Sequence, residues 1–217
     1  MIKISEVVFE TIQGDEIALE AFRMDLLNLS AYADRIRTIV SEKAYKVVNK
    51  GSIVTALSRM RKELGKIPPL RSIVRIENMS IKSPHVEISF EKTTKAVQLA
   101  SQLDSKSLLL NSFYTIIYGV GEISLICSEN LKKQVLSHFS TKPKGVYNNL
   151  VAITVRFIEQ DYIETPNMIY TLVSALASKR INIIEIISTF TEISFIVREK
   201  DMKETIDVLK CFFHQKK

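Results

Sequence analysis

The chain is poor in the residues that most catalytic and redox chemistry draws on. Its 217 residues include two cysteines, Cys127 and Cys211, and three histidines, His85, His138 and His214. Both cysteines sit inside apolar patterns, which reads as two buried, inert thiols in a reducing compartment. The histidines are scattered, with no Cys or His at metal-ligand spacing, so no zinc site is expected. The six glycines, Gly14, Gly51, Gly65, Gly119, Gly121 and Gly145, form no phosphate-cradling loop. Carboxylate pairs such as Asp15-Glu16 fall at a helix start, where capping and the helix dipole account for them. No apolar run approaches the ~18 residues of a membrane span. The start of the chain lacks the order of a secretory signal. A non-catalytic cytoplasmic protein without metal, cofactor or membrane partner is the expectation.

Charge is present but unevenly placed. Residues 1–34 carry two basic side chains against seven acidic ones, whereas residues 35–71 carry ten basic against Glu42 and Glu63. The second segment therefore suits either an anionic partner or a solvated basic face.

Residues 1–66 read as helices. Ile4, Val7, Val8 and Ile12 make a short stripe, and Asp15 can cap a second helix carrying Ala18, Leu19, Phe22, Leu26 and Leu29. Ser30 is the expected N-cap of a third helix with Ala33, Ile36, Ile39 and Val40 inward. Ser52 is that of a fourth, with Ile53, Ala56, Leu57, Met60 and Leu64 as its core face. Gly65 suits its end, and Pro68-Pro69 marks a domain boundary. The last two helices have helix-turn-helix proportions with a long connection. Thr55, Ser58, Arg59, Arg61 and Lys62 would then face a nucleic acid. Lys43, Lys46 and Lys50 in the connecting loop would add phosphate contacts. The alternative is a helical module that binds a protein.

After Pro69 the pattern turns to strands. Val86, Ile88 and Phe90 alternate, residues 93–104 read as a helix, and Phe113–Ile117 and Glu122–Cys127 form a hairpin. Leu131, Val135, Leu136 and Phe139 close with a helix. The same order recurs. Val151, Ile153, Val155 and Phe157 alternate; a helix with Ile169, Leu172, Val173, Leu176 and Ala177 on one face follows; then come strands at Ile183–Ile187 and Ile193–Val197. Met202, Ile206, Leu209 and Phe213 stripe a last helix. A shift of 70 residues brings Glu122-Ile123-Ser124 onto Glu192-Ile193-Ser194, Leu99 onto Ile169 and Leu103 onto Val173. Each unit is strand, helix, strand, strand, helix, with its last strand supplied by the other repeat or the connection. The fold class expected is α+β: two ferredoxin-like βαββαβ units in tandem behind a small all-α domain. The expected domains are residues 1–68, 69–145 and 146–217.

The segment 151–213 resembles an ACT domain of the aspartokinase type. The resemblance is carried by Glu164-Thr165-Pro166-Asn167-Met168-Ile169, by Ile181-Asn182-Ile183 leading to Ser188-Thr189, and by the strand Glu192–Val197. Residues 82–140 resemble a divergent second copy. Asn49-Lys50-Gly51-Ser52-Ile53-Val54 and Ala56-Leu57-Ser58-Arg59-Met60 resemble the helical leader of small stand-alone ACT proteins. No kinase domain has room before residue 70. The resemblance implies regulation: a small amino acid or related metabolite bound at an interface of a homodimer. The loop Gln160–Asn167 of one chain would face residues 182–188 of a neighbour. The residues so implicated are Asp161, Glu164, Thr165, Pro166, Asn167, Met168, Ile169, Asn182, Ile184, Glu185 and Ser188. Amides at the helix start suit a carboxylate, and Asp161, Glu164 or Glu185 an ammonium group. Asn167 and Lys179-Arg180 stand where that family often has glycine. The output would pass through the N-terminal helices, to DNA or to a partner protein.

Overall fold

The computed structural model describes residues 3–64, 69–104 and 113–213, without the side chains of Lys62, Glu63, Asp104 and Asp161. Gly65, Pro68 and His214 lie outside the described residues. The chain divides into two compact units, Met1–Ser72 and Ile73–Lys217.

The first unit is helical: α1 (Ile4–Gln13), α2 (Glu16–Arg23), α3 (Leu29–Lys43), α4 (Lys50–Arg59) and α5 (Arg61–Leu64). Asp15 caps α2 by accepting from the Ala18 amide at 3.0 Å. The next two caps fall earlier than expected. Asn28, not Ser30, accepts from the amides of Ser30 and Ala31. Asn49, not Ser52, accepts from the Ser52 amide at 2.8 Å. An Asn in extended backbone presents its side-chain oxygen to the same orphan amides a serine would, so two adjacent candidates compete for each cap. Consequently α2 stops at Arg23, Asp25 turns with φ of 59°, and Leu26 is left exposed. Ile39 is exposed as well. The core joins Val7, Val8 and Ile12 of α1 to Ile36 and Val40 of α3 and to Ile53, Leu57 and Leu64.

The second unit is one six-stranded antiparallel sheet with helices. Its elements are β1 (Ile76–Glu91), α6 (Thr94–Asp104), β2 (Tyr114–Tyr118), β3 (Glu122–Ser128), α7 (Lys132–Phe139), β4 (Gly145–Phe157), α8 (Glu159–Glu164), α9 (Met168–Ser178), β5 (Ile183–Ser188), β6 (Glu192–Arg198) and α10 (Met202–Lys210). The strand order is β2-β3-β1-β4-β6-β5. The two long strands are shared between the repeats. His85–Glu91 pairs with β3, while Ile76–Lys82 pairs only with the half of β4 that carries β6. Between Lys82 and His85, β1 holds one residue more than β4 does between Ala152 and Leu150. That bulge keeps Lys82 and His85 on the same face of the sheet.

One face is packed by helices. Val86, Ile88, Phe90, Ile123, Leu125 and Cys127 meet Ala96, Ala100, Leu103, Val135 and Phe139. Val151, Ile153, Val155, Phe157, Ile193, Phe195 and Val197 meet Met168, Leu172, Leu176 and Leu209. On the opposite face the intervening residues Ile126, Leu150, Ala152 and Ile196 are fully buried. Phe113 and Ile117 pack on them from one end of the sheet, Ile184 and Ile187 from the other. Cys127 is buried and its thiol is pushed up to about 11 by that burial, whereas Cys211 is exposed, against expectation.

The 70-residue offset holds from Glu122 and Glu192 onward, through β3 and β6 and the short 3-10 turns after them. It also holds between α7 and α10, where Val135 and Phe139 fall on Thr205 and Leu209, and it fails between α6 and α9. The inward face of α9 is Met168, Thr171, Leu172 and Leu176; Ile169 is 45% exposed and Ala177 points outward. The physical cause is α8. Tyr162 donates its amide to Ile158 and stacks on Phe157, so residues expected as a loop form a helical turn and shift the start of α9.

Candidate functional site

Two places carry the expected site residues of the sheet unit. The first is the start of α9. Asn167 sits in the left-handed region (φ 62°, ψ 20°), and its carbonyl accepts from the amide of Thr171 at 2.9 Å and from the Thr171 hydroxyl at 3.0 Å. The Asn167 side chain makes no capping hydrogen bond to α9, which leaves a helix start of the kind that suits an anionic group. Pro166 and Asn167 are exposed, Thr165 is half-buried, and Met168 belongs to the core. Glu164 is exposed at the end of α8. Asp161 lies on α8, its side chain outside the described ones.

The second place is a cleft of about 620 Å³ on the helix-free face of the sheet, lined in part by Asn182, Ile184 and Glu185. Ser188 is at the far end of β5, where it pairs with Ile193. Within one chain the cleft does not include Glu164–Ile169, so the expected residues form two separate groups.

The cleft is built from five strands. β1 contributes Glu87 and Ser89, β3 contributes Glu122 and Ser124, β6 contributes Arg198, and β5 contributes Glu185; Lys144 and Tyr147 complete it from the start of β4. Alternation explains the face: Val86, Ile88 and Phe90 point to the helices, which turns Glu87 and Ser89 the other way. Glu87 is 7% exposed. The Ser89 hydroxyl donates to its Oε1 at 3.5 Å and lies 2.8 Å from the Ser124 hydroxyl, while Oε2 has no hydrogen-bond partner among the described residues. Burial, and then the charge of Glu185, hold the Glu87 carboxyl above the ordinary carboxylate range. Lys144 pairs with Glu122 at 3.1 Å. Arg198 makes no ion pair among the described residues. The cleft thus presents the Glu87 and Glu185 carboxylates and, among the described residues, a guanidinium outside any ion pair.

The helical unit has its own cleft, about 880 Å³, lined by Lys3, Lys46, Asn49, Ser52, Thr55 and Arg59 among others. It gathers Lys46, Thr55 and Arg59 of the residues expected to meet nucleic acid. Lys43, the last residue of α3 rather than a loop residue, is exposed, as is Ser58, whose hydroxyl donates to the Val54 carbonyl. Lys50 opens α4 and is held by Asp34 at 2.6 Å, and Arg61 pairs with Asp25. The Lys62 side chain lies outside the described ones.

Residues 148–211 match the ACT domain family. That segment contains α8, α9, β5, β6 and α10 and most of β4. No curated protein matches the chain by sequence. Solved structures are similar in fold. The aspartate kinase of Clostridium acetobutylicum superposes with a TM-score of 0.53 at 14% identity, over 64% of this chain and 35% of that one. The regulatory subunit of aspartate kinase from Thermus thermophilus, in its ligand-free form, gives 0.51 at 13%, over 64% and 99%. That from Thermus flavus gives 0.52 at 13%, over the same shares. At these identities the ACT-like fold is what is common, and the chain spans about a third of the Clostridium enzyme's length.

Sequence reasoning found Asn182, Ile184 and Glu185 and missed the other polar residues of the cleft: Glu87, Ser89, Glu122, Ser124, Lys144, Tyr147 and Arg198. The available signal was Glu87 and Ser89 alternating with Val86, Ile88 and Phe90. Nothing in that alternation shows that the polar face is also covered.

Proposed function

We propose that the chain is a non-catalytic regulatory protein. Two βαββαβ units of ACT type, residues 69–145 and 146–217, sense an amino acid or similar metabolite across a homodimer, and the helical unit, residues 1–68, passes the signal on. The observation that carries this reading is the start of α9. An uncapped helix N-terminus beside the exposed Pro166 and Asn167 suits a ligand carboxylate. Exposed Ile163, Ile169, Tyr170, Ile186 and Phe190 flank the elements leading into and out of the edge strand β5. An edge strand with apolar neighbours suits pairing with a second copy, which would bring Asn182–Ser188 of one chain to the turn of the other. A ligand then acts by binding one dimer arrangement more tightly than another.

A thermal-shift screen of the twenty amino acids tests the reading, because a ligand selective for the native state raises the melting temperature. One amino acid is expected to raise it, and Ile169→Asp is expected to abolish both that rise and the dimer seen by light scattering. A flat screen over a monomeric protein overturns the reading.

A second reading of the output has its own observation. Lys46 and Arg59 share one cleft with Lys3, and Thr55 adds a hydroxyl, which suits phosphates of DNA. Joint Lys46→Glu and Arg59→Glu substitution is expected to abolish salt-sensitive duplex binding. If the helical unit instead binds a protein through apolar contacts, the same variant retains its complex.

A further inference from the structure

We propose that the cleft between β1, β3, β5 and β6 is a binding site for an organic ammonium ion, held between Glu87 and Glu185 within a single chain. It shares Glu185 with the interchain reading but not the turn at Asn167, and it rests on Glu87, which that reading does not use.

Glu87 is the reason. A carboxylate more than nine-tenths buried, with one oxygen unpartnered, is costly to keep in a fold unless something meets it. It lines an accessible cleft rather than a closed core. A second carboxylate, Glu185, faces the same space from a strand at the end of the sheet. Two like charges that approach without a cation between them repel, and a cation placed there relieves both. The Glu122 carboxylate does not compete, because Lys144 already occupies it. Arg198 is the remaining charged group in the cleft, makes no ion pair among the described residues, and suits an anionic group on the same ligand. Tyr147, half-exposed at the rim, supplies an aromatic face for the ligand's carbon chain.

The class of cation follows from the arrangement. Among the described residues no three of His, Cys, Asp or Glu are placed to hold a metal ion. A cleft of about 620 Å³ is far larger than one ion needs and falls in the range of small-molecule pockets. An ammonium group donates up to three hydrogen bonds, a number that suits the two carboxylates and one hydroxyl of the Ser89–Ser124 pair.

Binding should also move a proton. The groups facing Glu87 are Glu185 from β5, Glu122 from β3, Lys144 and Tyr147 at β4 and Arg198 from β6. Glu185 and Glu122 favour its protonated form, and burial adds to this. A bound ammonium favours the carboxylate and so releases proton as it enters.

The test is isothermal titration calorimetry of the full chain near pH 6 in two buffers of different ionisation enthalpy. The probes are 1,4-diaminobutane, lysine and glycine, with 1,4-butanediol as the neutral control and magnesium chloride as the inorganic one. The inference expects saturable heat with at least one amine and none with the diol. It also expects a buffer-dependent enthalpy that reports proton release, and at least tenfold weaker binding in Glu185→Gln. Glu87→Gln should lose the proton release; where it fails to fold, Glu185→Gln alone decides. Asn167→Ala should leave this binding unchanged, which separates the site from the interchain one. No saturable binding of any amine overturns the inference, as does binding that is unaltered in Glu185→Gln or matched by magnesium.

Discussion

Glu87 on β1 and Glu185 on β5 share one cleft although two strands, β4 and β6, lie between theirs in the sheet. The pairing has a consequence for stability. Glu87 is raised above the ordinary 4.5 by burial and then by Glu185. Its protonated form is thus favoured by the fold. Its contribution to stability is complete below pH 4.5, where both states are protonated, and is lost as pH rises toward the folded value. Replacing Glu185 with Gln removes one cause of the shift. The ligand-free variant is therefore expected to be more stable than the parent at pH 7 and equal to it near pH 4. Urea midpoints at the two pH values measure this. A variant destabilised at pH 7 would show that Glu185 does not bear on Glu87.

His85 titrates in the opposite sense. It is 2% exposed, its ring stands edge-on to Phe113 at 5.2 Å, and neither nitrogen has a hydrogen-bond partner. Burial holds it below the usual 6.5. The native state keeps the ring neutral. Stability from this group is complete above pH 6.5 and falls as pH drops toward the lowered native value, because only the unfolded chain takes up the proton. His85→Phe is expected to flatten the loss of stability between pH 6.5 and 5 while leaving the Glu87 contribution in place. Thermal melts across that interval give the slopes to compare.

In the helical unit the caps separate two readings of the same sequence. Asn49 makes the hydrogen bond that Ser52 was expected to make. Asn49→Ala should lower the stability of this unit by about 1 kcal/mol. Ser52→Ala should cost much less, since the Ser52 amide, not its hydroxyl, is the group in use. Denaturation followed by helical circular dichroism distinguishes the two.

What could be read from sequence was governed by periodicity. The core stripes of α1 and α4 and the alternation of β1, β4 and β6 are local patterns, and Val8, Ile53, Leu57, Ile88, Ile153 and Phe195 are all buried as those patterns require. Hidden from the same reasoning were features set by distant parts of the chain. Leu150 and Ala152 are buried on the face where alternation expects solvent, because Ile117 and Ile187 from the two ends of the sheet join their cluster. Ile169 faces outward because the helical turn before it shifts the register of α9. Glu185 was recognised from the family pattern, but its partner Glu87 is 98 residues away in sequence and needs the strand order to be seen.

Asn167 decides how much of the α9 turn is backbone and how much is ligand site. Its φ of 62° lies in the region that asparagine tolerates and other side chains adopt at a cost. Its side chain makes no capping bond, so the fold uses the residue only for its conformation. Asn167→Ala is accordingly expected to destabilise the sheet unit by about 1–2 kcal/mol. Asn167→Gly should be neutral or slightly stabilising, because glycine meets the same angle without a side chain to strain. If the turn binds a carboxylate, the glycine variant also lets the ligand approach the α9 amides more closely and should raise the thermal shift given by the same amino acid. A glycine variant with parental stability and an unchanged or reduced shift would mean that the Asn167 side chain, rather than the bare turn, shapes the site.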